Sequence, residues 1–255
     1  MNKPKVSVAI ATFNEEKNIV DCILSAKNIT DEIIVVDGNS SDRTAEIALK
    51  TGAKVIKTSN KSMFNINKNM AIDNCSGKWV FLLDADEIIS PGLAGEVIDL
   101  VNTNPEENGF FINRKNWFLG GFLKKGGAYP DSVIRLFRKG KGRLPEKDVH
   151  EQVKIDGKIG NLNNDLIHLA DPAFERYLRR AIRYTDRTAI NFETEKIPIN
   201  MFTIVYYMLI KPFTTFLALF FRHKGYQDGF RGFIWALFSG AHFYYAFVKY
   251  MSQKK

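Results

Sequence analysis

Two apolar runs end in acids: EIIVVD at 32–37 closes on Asp37, and KWVFLLDAD at 78–86 closes on Asp84 and Asp86. A third apolar run, at 6–11, leads into Thr12-Phe13-Asn14-Glu15. Carboxylates gathered at one place repel, and raise one another's pKa unless a cation lies between them. Asp84 and Asp86, at i and i+2, project to the same side if the chain stays extended there. Hard oxygen ligands of this kind suit Mg²⁺ or Mn²⁺, which keeps waters and completes its shell from substrate phosphates. The chemistry these acids anticipate is the handling of a metal-bound diphosphate.

For the three polar clusters to meet, the apolar runs must lie side by side, and their spacing predicts that they do. The run at 6–11 reads as a buried strand, and Asn14 as the cap of a helix whose apolar face is Ile19, Ile23 and Ala26. The run at 32–37 is almost continuously apolar, as a parallel strand covered on both faces would be. Asp42 caps a second helix with Ala45, Ala48 and Leu49 inward, and Gly52 stops it. A third strand is predicted at 53–57, a short helix at 65–74 and a fourth strand at 78–83, and Pro91 opens a helix to about residue 102. This alternation predicts an α/β fold with a Rossmann-like, mostly parallel sheet, whose ligands bind beyond the carboxyl ends of the strands.

After Gly109 the pattern loosens. Strands are predicted at 110–113 and 133–138, joined by a segment holding Gly120, Gly121, Gly126 and Gly127 that could serve as a mobile loop. Helical spacing returns at 174–192, where Tyr177, Leu178, Ala181, Ile182 and Tyr184 alternate with arginines, and two apolar stretches follow at 199–221 and 230–250. A chain of 255 residues then divides into a catalytic domain at 1–170 and a helical, amphipathic extension at 171–255. With 45% hydrophobic and 25% charged residues, the composition excludes a disordered, collagen-like or polytopic membrane protein. Cys22 and Cys75 cannot form a disulfide framework, so a reducing compartment is expected. The apolar run at the N-terminus is too short for a signal-peptide core, and the chain is expected to stay in the cytosol.

The net charge of +8 is uneven: residues 175–255 carry 13 Lys/Arg against 5 Asp/Glu, while the first 174 residues balance. Basic residues beside apolar stretches point to an anionic membrane surface rather than to nucleic acid. The stretch at 199–221 is long enough to span a bilayer, but Lys211-Pro212 is expected to interrupt its helix and place a charge at mid-depth. Arg231 and the Trp and Tyr residues of the second stretch favour the headgroup level. Interfacial helices on the cytoplasmic face of the inner membrane are therefore expected, with packing on the catalytic domain or a homodimer interface as the other use of the same surface.

SVAIATFNEE at 7–16, EIIVVDGNSSDRT at 32–44 and GKWVFLLDADE at 77–87 together resemble the family 2 glycosyltransferases, which have the GT-A nucleotide-sugar-binding fold. RLFR at 135–138 and VHEQV at 149–153 narrow the resemblance to the bacterial branch that includes lipopolysaccharide core β-1,4-glucosyltransferases. The resemblance implies a nucleotide-sugar donor, most naturally UDP-linked, Mg²⁺ or Mn²⁺, and a lipid-linked or lipopolysaccharide-type acceptor. It implies that Thr12, Asn14 and Glu15 contact the nucleotide, Asp37 the uracil and ribose side, and Lys68 the region near the nucleotide. Asp84 and Asp86 match its DxD, with Asp84 toward the ribose and metal and Asp86 on the metal, and His168 could complete the metal shell.

Inverting transfer needs a carboxylate that takes the proton from the acceptor hydroxyl. Glu151 in VHEQ is the first candidate, with Asp131, Glu146 and Asp148 as rivals. Arg135 and Arg138 could steady phosphates or acceptor, or be surface charges; Trp117, Phe118 and Tyr129 could stack on sugar rings, or be core. Two other readings stand beside this one. A nucleotidyltransferase shares the sheet and the acids, but normally has a Gly-rich, basic loop after its first strand. A catalytically silent membrane-associated scaffold would not need Asp37, Asp84 and Asp86.

Overall fold

The computed structural model describes residues 5–59, 64–146, 152–171 and 173–254. The chain forms two compact units, Met1–Arg114 with Asp131–His168, and Lys115–Pro130 with Leu169–Lys255. The second thus takes in a segment at 115–130 that the sequence pattern had grouped with the first.

In the first unit, β1 (Val6–Thr12), β2 (Ile33–Asp37), β3 (Lys54–Lys57) and β4 (Trp79–Asp84) are parallel, in the order β3-β2-β1-β4. Every residue of β1 is buried because both faces are covered. Val6, Val8 and Ile10 pack with Ile19 and Ile23 of α1 (Ile19–Ala26), while Ala9 packs with Ala71 and Ile72 of a helix at Phe64–Asn74. A helix at Pro91–Thr103 adds Leu93 and Val97 to the first of these faces. Its start follows the sequence signal: Pro91 stands in the first turn and the Ser90 side chain accepts from Leu93 N.

Beyond β4 the long strands run antiparallel and the short strand Ile159–Asn161 pairs parallel, so the sheet is mixed, which corrects the mostly parallel expectation. A short strand at Glu87–Ile89 (β5), and strands at Gly109–Phe118 (β6) and Asp131–Arg138, extend the order to β3-β2-β1-β4, then Asp131–Arg138, β6, Leu166–Asp171 and β5. Asp131–Arg138 runs antiparallel to both β4 and β6. The reason lies in the connection: no helix links β6 to Asp131–Arg138, and a parallel pair needs such a crossover.

Two local expectations also change. Asn14 does not cap α1. It adopts a left-handed φ of 56°, and its Oδ1 accepts from Ser41 N at 2.8 Å, so it ties two loops together. Asp42 does serve the next helix, Thr44–Lys50, by accepting from Thr44 N at 3.0 Å, and Gly52 ends that helix with φ 97°.

The second unit is built from helices Phe174–Thr194, Met201–Arg222 and Gly229–Gln253. Phe118, Leu123, Ala128 and Tyr177 form one core, and Ala189, Phe192, Ala246, Phe247 and Tyr250 another. The last two helices approach closely at Gly240, where a Cβ would lie 2.5 Å from the Pro212 carbonyl oxygen. Contrary to expectation, Pro212 does not interrupt its helix. A wider, π-type turn at Tyr206–Ile210 directly precedes Lys211-Pro212 and accommodates the missing N–H. The Lys211 ammonium sits 5.0 Å from the Phe243 ring centre.

Candidate active site

Sheet register gathers the predicted residues. Thr12 pairs with Asp37 on one side of β1, and Ala11 pairs with Asp84 on the other, so three strand ends finish level. The ends of β1 and β4 line a cleft of about 380 Å³, together with Phe13, Glu15, Lys68 and Asp86. Thr12 is 1% exposed, and its Oγ1 has no hydrogen-bond partner among the described residues. An orphaned hydroxyl at a cleft wall is a group that a polar ligand would satisfy.

Asp37, also buried, holds the loop that follows it. Its Oδ1 accepts from Ser40 Oγ at 2.5 Å and its Oδ2 from Ser40 N at 3.0 Å. Ser40 Oγ accepts in turn from Asn14 N at 2.9 Å. Glu15 Oε2 accepts from Asn18 Nδ2 at 2.6 Å, which fixes the carboxylate at the entrance of α1. Asn14 and Asp37 are therefore joined through Ser40, while Glu15 is held separately by Asn18.

Asp84 carries two cations, Lys68 on Oδ1 and Arg135 on Oδ2. Burial alone would raise the pKa of Asp84, but Arg135 and then Lys68 outweigh it and hold the carboxyl well below the usual range. The sequence left the repulsion among these acids to be relieved by a bound metal; much of it is relieved by side chains of the protein itself. Arg135 Nη2 also donates to Glu87 Oε1 at 2.6 Å, and Glu87 Oε2 accepts from Asp84 N at 3.0 Å. Arg114 pairs with Glu87 at 3.4 Å and with Asp131 at 2.8 Å.

Asp86 meets a different partner. The strand Leu166–Asp171 pairs antiparallel with β5, setting His168 opposite Glu87 and bringing His168 Nε2 to 3.6 Å from Asp86 Oδ2. Metal–ligand bonds to such groups are about 2.0–2.2 Å, so one divalent ion is within reach of both. Among the described residues no three His, Cys, Asp or Glu side chains gather to hold a metal. The donor set fits an ion that takes the rest of its shell from a ligand's oxygens and water.

Glu151 lies outside the described residues, as do His150 and Asp148. Of its rivals, Asp131 is engaged by Arg114, and Glu146 accepts from Asn69 Nδ2 at 2.9 Å. Arg138 stacks on Trp79, 4.5 Å from the ring centre, which is a structural role. Phe118 belongs to the core of the second unit, and Trp117 packs edge-on against Phe122. The sequence pattern gives Glu87 no role and leaves Arg135 between phosphate contact and surface charge. A signal existed for Arg135: it is a lone charge inside the apolar run VIRLF.

The family model for glycosyl transferase family 2 matches residues 7–127. An uncharacterized glycosyltransferase of Rickettsia typhi is 30% identical over 241 residues, covering 90% of this chain and 81% of the relative. The lipopolysaccharide core biosynthesis glycosyltransferase LpsC of Rhizobium meliloti is 28% identical, covering 96% of this chain and 90% of the relative. Among solved structures, the mannosyltransferase PcManGT from Pyrobaculum calidifontis, in complex with GDP-Man and Mn²⁺, matches with a TM-score of 0.56 at 14% identity, over 100% of this chain and 89% of that one. S. aureus TarS 1–349 in complex with UDP-GlcNAc matches with a TM-score of 0.53 at 16% identity, over 97% and 88%. Those two likenesses concern the fold.

Proposed function

The chain belongs to the family 2 glycosyltransferases, and from that premise we propose that it moves a sugar, with inversion, from a UDP-linked donor to a glycolipid or polysaccharide of the cell envelope. Membership replaces the nucleotidyltransferase and scaffold alternatives. The observation that carries the reading is the register of β1, which levels Thr12 with Asp37 and Ala11 with Asp84 at the edge where Thr12 and Asp84 line a cleft. The name of LpsC supports an envelope acceptor. In this reading Thr12, Asn14 and Glu15 face the nucleotide, Asp37 the uracil and ribose side, and Lys68 lies near the nucleotide. Asp84 serves the ribose and metal side, while Asp86 and His168 hold Mg²⁺ or Mn²⁺. The bound ion would stabilise charge on the departing diphosphate. Glu151 takes the proton from the acceptor hydroxyl as it attacks the face opposite the leaving group. The test is donor hydrolysis across UDP- and GDP-linked sugars with Mn²⁺. Turnover confined to UDP-sugars is expected; turnover of GDP-sugars alone would overturn the uridine assignment.

The second unit acts as a peripheral anchor on the cytoplasmic face of the membrane. Met201–Arg222 is a helix of 22 residues with mean hydropathy 1.7 and none of its apolar window buried, long and apolar enough to cross a bilayer. Phe202, Phe213 and Phe230 are 75%, 63% and 73% exposed. Contacts at the turn between the last two helices support lying on the membrane rather than spanning it. Asp228 accepts from Lys124 N at 3.0 Å and Lys125 N at 2.8 Å, and Trp235 Nε1 donates to Gly126 O at 3.1 Å. A spanning hairpin would have to carry this lysine-bearing loop across with it, at high cost.

A further inference from the structure

We propose that Arg135 is a positioning residue: from a β-bulge it spans Asp84 and Glu87, orienting the first and cancelling charge so that the cleft accepts a diphosphate. The proposal rests on the nucleotide-sugar reading above. Residues 134 and 136 of a regular strand share one face. Here Leu136 packs on the face of α1, whereas Ile134 and Phe137 pack on the opposite face. The register against β6 slips at the same place, with Leu136 opposite Phe110 and Ile134 opposite Phe111. Arg135 is the extra residue, and a bulge is a device that re-aims a side chain.

The re-aimed guanidinium closes a ring. Arg135 donates to Asp84 Oδ2 and to Glu87 Oε1, and Asp84 N donates to Glu87 Oε2. Arg135 is 6% exposed and Glu87 0%. Buried ion clusters of this kind are poor sources of stability, and apolar replacements of the whole cluster are often neutral or better. Their use here is local charge. Asp84 and Glu87 face Lys68, Arg135 and Arg114, while Asp86 faces His168. Without Arg135 the same walls would be one charge more negative, which would attract bare cations and repel a diphosphate.

Opposite shifts in two affinities test this. Calorimetry of Arg135→Gln should find bare Mn²⁺ bound several-fold more tightly and metal-free UDP bound about tenfold more weakly than by wild type. Arg135→Lys, which restores the charge, should recover most of the UDP affinity. A merely structural defect would weaken both ligands, and that result, or unchanged UDP binding, overturns the proposal. Should Arg135→Gln fail to fold, Arg135→Gln/Glu87→Gln keeps the local charge of the wild type. It should then bind bare Mn²⁺ as wild type does, and Mn²⁺ with UDP at least tenfold more weakly; wild-type affinity for the pair would again overturn the proposal. If the wild-type protein itself binds no UDP, the nucleotide-sugar reading falls and this one with it.

Discussion

Asp84 shows how much one carboxylate can be asked to do. Both its oxygens meet cations, Lys68 and Arg135, and its pKa is held below the ordinary value despite burial. A group whose folded pKa is depressed adds stability that is fully present above its unfolded pKa, and loses it as pH falls toward the folded value. Stability should therefore decline below about pH 4. Asp84→Asn should flatten that decline while lowering the melting temperature at neutral pH, because it takes the carboxylate from Lys68 and leaves Arg135 with Glu87 alone. A melting series from pH 7 to 3 with the wild-type slope intact in the variant would contradict the assignment. The catalytic base is a separate matter. Glu151→Gln keeps shape but cannot accept a proton, so transfer should fall by about two to four orders of magnitude with UDP binding unchanged. Near-normal transfer would move the role to another acid. Asp84 and Asp86 were legible as a pair because strand-end acids at i and i+2 have few bland explanations. Glu87 was not, since a carboxylate following two others gives no sequence sign that it will be wholly buried beneath an arginine.

Elements were legible where a single face rule applied. β1, β2 and β4 are apolar almost throughout because helices cover both sides, and the start of Pro91–Thr103 is written in Ser90-Pro91. The antiparallel part was harder. The second half of β6, NRKNW, is polar by composition yet continues as strand, and the slip at Arg135 is a property of pairing, not of local sequence. Two glycines with contrasting surroundings make a test at this scale. Gly95 sits inside Pro91–Thr103 with nothing within 4 Å of an added Cβ, so Gly95→Ala should stabilise by about 0.5–1 kcal/mol. Gly240 would place its Cβ 2.5 Å from the Pro212 oxygen, so Gly240→Val should cost about 1–3 kcal/mol as the two helices part. Urea denaturation read by circular dichroism separates the two signs, and a stabilising Gly240→Val would refute the close packing.

At the scale of the whole chain, charge and apolar exposure coincide in the last third. All of the +8 lies after residue 174, and the exposed phenylalanines of the last two helices lie there too. Interfacial binding draws on both, and salt screens only the first. The full-length protein should sediment with vesicles containing anionic lipid more than with neutral ones, and high salt should release part of it. Replacing Phe202, Phe213 and Phe230 with serine removes exposed apolar area without touching a core. Partitioning should then fall at least tenfold, given about 1.5–3 kcal/mol for each fully buried phenylalanine. Indifference to lipid charge, with a dimer that these serines dissociate, would assign the surface to a second copy of the chain instead.

The central claim is that the level strand ends at Thr12, Asp37 and Asp84, with Asp86 and His168 beside them, form a metal-dependent nucleotide-sugar site. Titrating UDP by calorimetry into the wild-type protein and Asp86→Ala, each with and without Mn²⁺, tests it most directly. Mn²⁺ should tighten UDP binding to the wild-type protein at least tenfold and leave the variant's affinity unchanged, with both proteins melting alike. Equal Mn²⁺ enhancement in the two proteins, or none in either, would contradict the account.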